Sequence, residues 1–208
     1  MGARTSRTPP SQQGSLFDAG PAMPGGMRYA AEFISPAEER ELLAHCTALP
    51  LQPFVFHGWL GKRETMSFGW RYDFNQSRMF PAAPIPDFLL PLRARAAAFA
   101  GVEPAAFEQA LIIRYEVGAG IGWHRDRPVF DRVAGISLLS SCVLRFRLRE
   151  GGRFSRFALD AEPRSAYLLT GASRDEWEHS IAPVESRRIS ITFRSRRAAT
   201  GPGLARSN

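Results

Sequence analysis

Lysine is all but missing from this chain: of its 27 basic residues only Lys62 is not arginine. Cysteine is nearly as scarce. Cys46 and Cys142 stand far apart and neither belongs to a CxxC pair, which argues against a disulfide framework and against a cysteine-ligated zinc site. So few thiols fit a reducing compartment, and a cytoplasmic location is expected. No apolar run approaches the ~20 residues of a membrane span, so no membrane partner is expected. The opening segment MGARTSRTPPSQQGS is basic but has no apolar stretch, so it is not read as a secretory signal. Histidine is limited to four positions, His45, His57, His124 and His179, too few for a histidine-rich zinc cluster.

What is present describes a folded, basic chain. Its 208 residues are 44% hydrophobic and 11% aromatic, enough for a substantial core and against wholesale disorder. One domain over residues 27–197, acting as a monomer, is expected, between a Pro/Gly/Ser/Gln-rich arm at 1–26 and a disordered tail at 198–208. Within the arm, LFDAG (16–20) is able to dock on the domain. The net charge of +7 is carried by guanidinium groups, which pair bidentately with carboxylates and phosphates and so favour an anionic partner. An arginine-rich proteome from a GC-rich genome gives the same excess, and charge alone does not choose between the two.

Two helices are expected early in the chain. In ISPAEERELLAHCTAL (34–49), Ser35 is placed as N-cap, Pro36 at the first helical position and Glu38 in a capping box, with Leu42, Leu43 and Cys46 on the buried face. A second helix starts near Pro86-Asp87 and ends at Gly101, with Pro91 tolerated near its start. Between them, residues 54–74 are aromatic, basic and punctuated by Gly58, Gly61 and Gly69, and are expected as short strands and mobile loops. From residue 111 onward, LIIRYEV, AGISLLS, CVLRFRLR, SRFALD, SAYLLTG and RRISITFRS are short segments rich in β-formers, separated by turn residues. Two helices followed by strands at near-regular spacing predict an α+β chain built on a jelly roll or barrel of the cupin type.

The segment GWHRDRPVF (122–130) carries the chemistry. His124 and Asp126 are two apart, so in extended backbone both side chains project to the same side. His179, in DEWEHSI, is the remaining histidine of the strand region, while His45 and His57 are read as structural. Two histidines and a carboxylate form the facial triad of non-haem Fe(II) oxygenases, which leaves three coordination positions open for a bidentate 2-oxo acid and O2. An HxD triplet also arises by chance, and a single histidine is more often core or surface than ligand. In RRISITFR, Arg188 and Arg194 are six apart and so share one face of a strand. Facing inward, they require buried anions, such as the two carboxylates of a dicarboxylic cosubstrate. Facing outward, they leave Ile189, Ile191 and Phe193 in the core. The pattern permits both.

Taken together, RYEVGAGIGWHRD (114–126), His179 and RRISITFR (187–194) resemble the AlkB family of Fe(II)/2-oxoglutarate-dependent dioxygenases, over roughly residues 111–195. The resemblance implies a double-stranded β-helix with the N-terminal helices packed on its outer face. It implies iron ligation by His124, Asp126 and His179, pairing of Arg188 with the remote carboxylate of 2-oxoglutarate, and placement of Arg194 near the iron-side carboxylate. It also implies that the Tyr115 hydroxyl reaches the cosubstrate. The stretch KRETMSFGWRYDF (62–74) is similar in character to the family's substrate-covering lid, here bounded at 54–80. There Trp70 or Tyr72 would stack on a flipped base and Arg63 and Arg71 would hold phosphates, though core packing equally accounts for the aromatics. Trp123 is read as structural.

Two positions depart from the family pattern. Ile113 stands where an asparagine is common, which removes a polar contact, and Pro128 stands where an acidic residue often lies near the target base. The activity implied is oxidative dealkylation of N-alkylated bases in single- or double-stranded DNA or RNA, with Fe(II), 2-oxoglutarate and O2. The alternatives are a hydroxylase or demethylase acting on protein or on modified tRNA, and a basic nucleic-acid-binding β-domain without catalysis.

Overall fold

In a computed structural model, Ser35 begins the first helix as its sequence demands. Its Oγ accepts from Glu38 N at 3.2 Å, and Ser35 N donates to Glu38 Oε2 at 2.8 Å. This reciprocal cap satisfies two of the amides that a helix start leaves unpaired. The structure describes residues 22–56 and 59–197, with side chains for 22–54 and 62–197. The expected arm up to residue 21, including 16–20, the tail at 198–208 and His57 lie outside the described residues. Residues 25 and 26, placed with the arm, are bonded to the domain: Gly25 O accepts from Ser173 N at 2.8 Å and Gly26 O from Thr170 Oγ1 at 2.8 Å.

In chain order the elements are β1 (Arg28–Ala30), α1 (Pro36–Ala48), β2 (Gln52–Phe56), β3 (Trp59–Phe68), β4 (Trp70–Asp73), β5 (Arg78–Pro81) and α2 (Leu90–Ala100). There follow β6 (Phe107–Tyr115), β7 (Ile121–His124), β8 (Phe130–Leu138), β9 (Cys142–Glu150), β10 (Arg153–Ala161) and β11 (Ala166–Leu169). The short helix α3 (Ala172–Asp175), β12 (Glu178–Ile181) and β13 (Arg188–Arg196) complete the set. The chain is therefore mostly β rather than evenly α+β, because helical patterning is confined to the two segments on either side of β2–β5. Residues 87–89 form a 3-10 turn ahead of α2, and Gly101 ends that helix in the left-handed region at φ 67°. Among the described residues no helix is long and apolar enough to cross a membrane.

The strands form a seven-stranded sheet, β1-β11-β8-β13-β6-β3-β2, and a four-stranded sheet, β10-β9-β12-β7. Every pairing in both is antiparallel. From β6 onward the chain switches repeatedly between the two sheets, so they close over a shared interior. That interior packs Ile113 and Tyr115 of β6, Val133 of β8 and Leu169 of β11 against Leu144 and Phe146 of β9 and Ile181 of β12. The opposite face of the large sheet meets the helices, where Ile189, Ile191 and Phe193 of β13 join Leu42 and Cys46 of α1 and Leu92 and Ala96 of α2. Strand β13 is thus buried on both sides. Its alternation sends the three apolar residues to the helix layer and Arg188, Ser190, Thr192 and Arg194 to the closed interior, which excludes a solvent-facing placement of the arginines.

Residues 54–74 differ from the expected short strands and loops. β2 and β3 extend the large sheet as a hairpin, and β3 pairs with β6 from Arg63↔Tyr115 to Phe68↔Ala110. Glycine content suggested interruption, but pairing to an already fixed neighbour dictates the extended form. The break falls at Gly69, where φ is 72° and a Cβ would lie 2.0 Å from Glu108 O. Only glycine lets the chain leave β3 flush against β6 and enter the separate β4–β5 hairpin.

Candidate active site

β7 and β12 are neighbours in the small sheet, and their register sets His124 directly opposite His179. The two rings lie 4.3 Å apart between centroids, inclined at 56°. Asp126 follows β7 in the loop leading to β8, with its carboxylate largely buried and Oδ2 3.7 Å from His179 Nε2. A carbonyl can only accept, so the 2.9 Å contact from His124 Nδ1 to Gly122 O puts a proton on Nδ1 and leaves Nε2 as the ring's lone-pair nitrogen. The three residues separated in sequence are thus brought together.

Their electrostatics suit a cation. Burial alone would raise the Asp126 carboxyl. Arg194, whose Nη2 donates to Oδ1 at 3.2 Å, outweighs it together with His179, His124 and Arg174, and holds the group below the usual carboxylate range. Burial pushes the His179 imidazole down to about 4, against the opposing pull of Asp126. At neutral pH an ionised carboxylate therefore faces an unprotonated imidazole, the states that metal ligation requires. Cis donors about 2.1 Å from an ion stand about 3 Å apart. Among the described residues no three histidine, cysteine or acidic side chains already meet at metal-holding spacing. Side-chain rotation that closes the 3.7 Å gap between His179 and Asp126 by less than 1 Å brings that pair into range.

A second centre lies on the same interior face at the start of β13. Arg188 is 1% exposed, its Nε donates to Ser137 Oγ at 3.2 Å, and its Nη1 has no hydrogen-bond partner among the described residues. Its guanidinium carbon lies 5.1 Å from the Tyr115 ring centroid, and Tyr115 is the residue paired with it across β6. Tyr167 of β11 comes to the same place. Its ring crosses β8 at Gly135, where a Cβ would lie 2.2 Å from the ring, and burial raises its hydroxyl above the ordinary range while Arg188 opposes that shift. A buried arginine that, among the described residues, has no carboxylate partner and one unsatisfied N–H fits an anionic ligand. Arg194, at the other end of the face, carries a second buried N–H without a partner, on Nε.

A cleft of about 960 Å³ opens above His124, Asp126 and Arg194. Tyr72, Arg63 and Arg71 line it, as do Phe74, Arg127 and Trp123. Arg127 lies over the Tyr72 and Phe74 rings at 4.9 and 5.1 Å, and Arg63 over Phe54 at 4.0 Å. Arg71 is half exposed and 3.5 Å from Asp73. Trp70 is elsewhere: it is not among the residues lining the cleft, and Arg196 covers its ring at 4.5 Å. Ser137, Tyr167, Arg127, Gln109 and Arg174 were not singled out by sequence. The last is 3% exposed and donates from Nη2 to Arg127 O, in the loop after Asp126, and to Phe130 O, at the start of β8, at 2.8 Å, tying α3 to both.

Residues 26–194 match the family model described as 2OG-Fe(II) oxygenase superfamily. Among curated proteins, the chain is 26% identical to the alkylated DNA repair protein ALKBH8 homolog of Arabidopsis thaliana, over 86% of this chain and 60% of that protein, so it spans well under the full length of that relative. It is 30% identical to the mitochondrial alpha-ketoglutarate-dependent dioxygenase alkB homolog 7 of Bos taurus, over 93% of this chain and 90% of that one. The solved structure of OsALKBH1 superposes with a TM-score of 0.67 at 16% identity, covering 84% of this chain and 98% of that one, a likeness of fold.

Proposed function

From the chain's membership of the 2OG-Fe(II) oxygenase superfamily, and within it of the AlkB homologues, we propose that this iron(II)- and 2-oxoglutarate-dependent dioxygenase removes alkyl groups from base nitrogens of DNA or RNA. The observation that carries the reading is the convergence of three residues: His124 pairs across the sheet with His179, Asp126 lies 3.7 Å from His179, and His124 and Asp126 line an arginine- and aromatic-bearing cleft. Those three would hold the iron. Arg188, with Tyr115 beside it, would take the remote carboxylate of 2-oxoglutarate, and Arg194 would stand near its other end. When bound, iron with 2-oxoglutarate and dioxygen would supply the oxidising power for the alkyl carbon, with 2-oxoglutarate converted to succinate and carbon dioxide.

The chain's own residues do the rest. Arg194 keeps the Asp126 carboxylate ionised and oriented, and burial keeps His179 unprotonated. Tyr72, in the cleft lining, would offer a flat ring to an unstacked base, while Arg63 and Arg71, also in the lining, would offer guanidinium groups to the flanking phosphates. A hydroxylated carbon on a base nitrogen then breaks its C–N bond, releasing an aldehyde and the restored base. The name of the Arabidopsis relative, which includes alkylated DNA repair, and the net charge of +7 support a nucleic acid substrate.

The test is mass spectrometry of short oligonucleotides carrying different N-methylated bases after incubation with enzyme, Fe(II), 2-oxoglutarate and ascorbate. Loss of one CH2 from a methylated oligonucleotide, matched by succinate and abolished in His179→Ala, is expected. Succinate formed without any change in DNA or RNA oligonucleotides would move the substrate to protein or to a tRNA modification. No succinate at all would favour a binding domain without catalysis.

A further inference from the structure

Gln109 of β6 sits where three separate parts of the molecule meet. It is 3% exposed, and both ends of its amide are used. Its Nε2 donates to Trp70 O at 2.9 Å, on the first residue of the β4–β5 hairpin. Its Oε1 accepts from Arg194 Nη1 at 3.3 Å, and Arg194 Nη2 in turn donates to Asp126 Oδ1 at 3.2 Å. The hairpin supplies Arg71, Tyr72 and Asp73 to the cleft wall. Three consecutive hydrogen bonds therefore connect the wall over the cleft to the carboxylate on its floor.

We propose that Gln109 is a positioning residue that couples the β4–β5 hairpin to Asp126 through Arg194. This rests on the reading of Asp126 as a metal ligand. The two carboxylate oxygens have different neighbours: Oδ2 faces His179 at 3.7 Å and Oδ1 faces Arg194. A cation held by Oδ2 leaves Oδ1 on Arg194, so ordering Asp126 orders Arg194, then Gln109, then the backbone of Trp70. Two further contacts keep this end of the hairpin from slipping past β6. Gly69 lies flush on Glu108 O, and Arg196, paired with Glu108 at 3.3 Å, covers the Trp70 ring. Because coupling between two sites is reciprocal, a substrate pressed under the hairpin would tighten the metal site by the same factor.

Glutamine is the residue this role needs, since its amide both donates and accepts. Gln109→Glu keeps an acceptor for Arg194 but has no N–H for Trp70 O, and Gln109→Met keeps the length and loses both bonds. Hydrogen exchange of residues 69–83 is measured with and without Mn(II) and 2-oxoglutarate, with no nucleic acid present, and metal binding is followed separately by equilibrium dialysis. In the wild type, loading is expected to slow hairpin exchange by about 2- to 10-fold, the scale of one hydrogen bond. In both variants the metal still binds and this loading effect disappears. A residue that only fills space would change exchange equally in the empty and loaded protein. Bound metal with no effect on the wild-type hairpin, or an unchanged loading effect in Gln109→Met, would overturn the coupling alone. A wild type that binds no metal would overturn the parent reading as well.

Discussion

Arg188 places a guanidinium in the interior at 1% exposure; Ser137 Oγ meets one of its N–H groups, and among the described residues no carboxylate pairs with it and Nη1 has no partner. A dicarboxylic cosubstrate resolves that cost. Replacing Arg188 with Met removes a charge-assisted interaction of about 1.5–3 kcal/mol, so KM for 2-oxoglutarate is expected to rise roughly 10- to 100-fold. Metal binding at His124, Asp126 and His179 should persist in that variant, because Arg188 makes no hydrogen bond to any of them. Steady-state succinate kinetics with a parallel metal titration checks both halves. Much of this was legible in sequence: the HxD spacing, a distal histidine, and two arginines six apart. The partners were not. Ser137 lies 51 positions from Arg188 and Gln109 lies 85 from Arg194. Only the sheet register brings them together, and no local motif encodes it.

The helices and strands were read in sequence where their signals are local. Ser35, Pro36 and Glu38 spell out the start of α1, and the structure forms that cap in full. Ser35→Ala should cost about 1 kcal/mol and lower the melting temperature accordingly. The pH dependence of this cap follows from Glu38, lowered from 4.5 to about 2 by hydrogen bonds from Arg95 first and then from Ser35. Its contribution is complete above pH 4.5 and is lost as pH falls through about 2. Because the group is exposed, that contribution stays below about 1 kcal/mol. Urea melts of wild type and Glu38→Gln should therefore differ at pH 6 and converge at the acid end. By contrast, β3 was not legible as a long strand. The glycines in and around it and its aromatics read as short strands and mobile loops, and the pairing with β6 that straightens it belongs to another part of the chain. The alternation in β13 was read correctly as a same-face relation, but which face looked inward had no answer in sequence, since both faces are buried.

At the scale of the whole molecule, helix layer, large sheet and small sheet divide the work. Packing against α1 and α2 stiffens the large sheet from behind, leaving its front face to present Tyr115, Arg188 and Arg194. The small sheet supplies His124 and His179 from adjacent strands. The jelly-roll class was legible from strand spacing, whereas substrate contacts were not, because an aromatic residue reads the same whether it packs or stacks. Tyr72 lines the cleft, and Trp70, two residues before it, lies under Arg196 instead. All of the proposed chemistry depends on a cation seated between the two sheets' contributions. Anaerobic equilibrium dialysis with Fe(II) and 2-oxoglutarate measures this directly, for the wild type and for Asp126→Ala. The account predicts one iron per wild-type chain and a loss of most of it in the variant; equal iron in both, or none in the wild type, would contradict it.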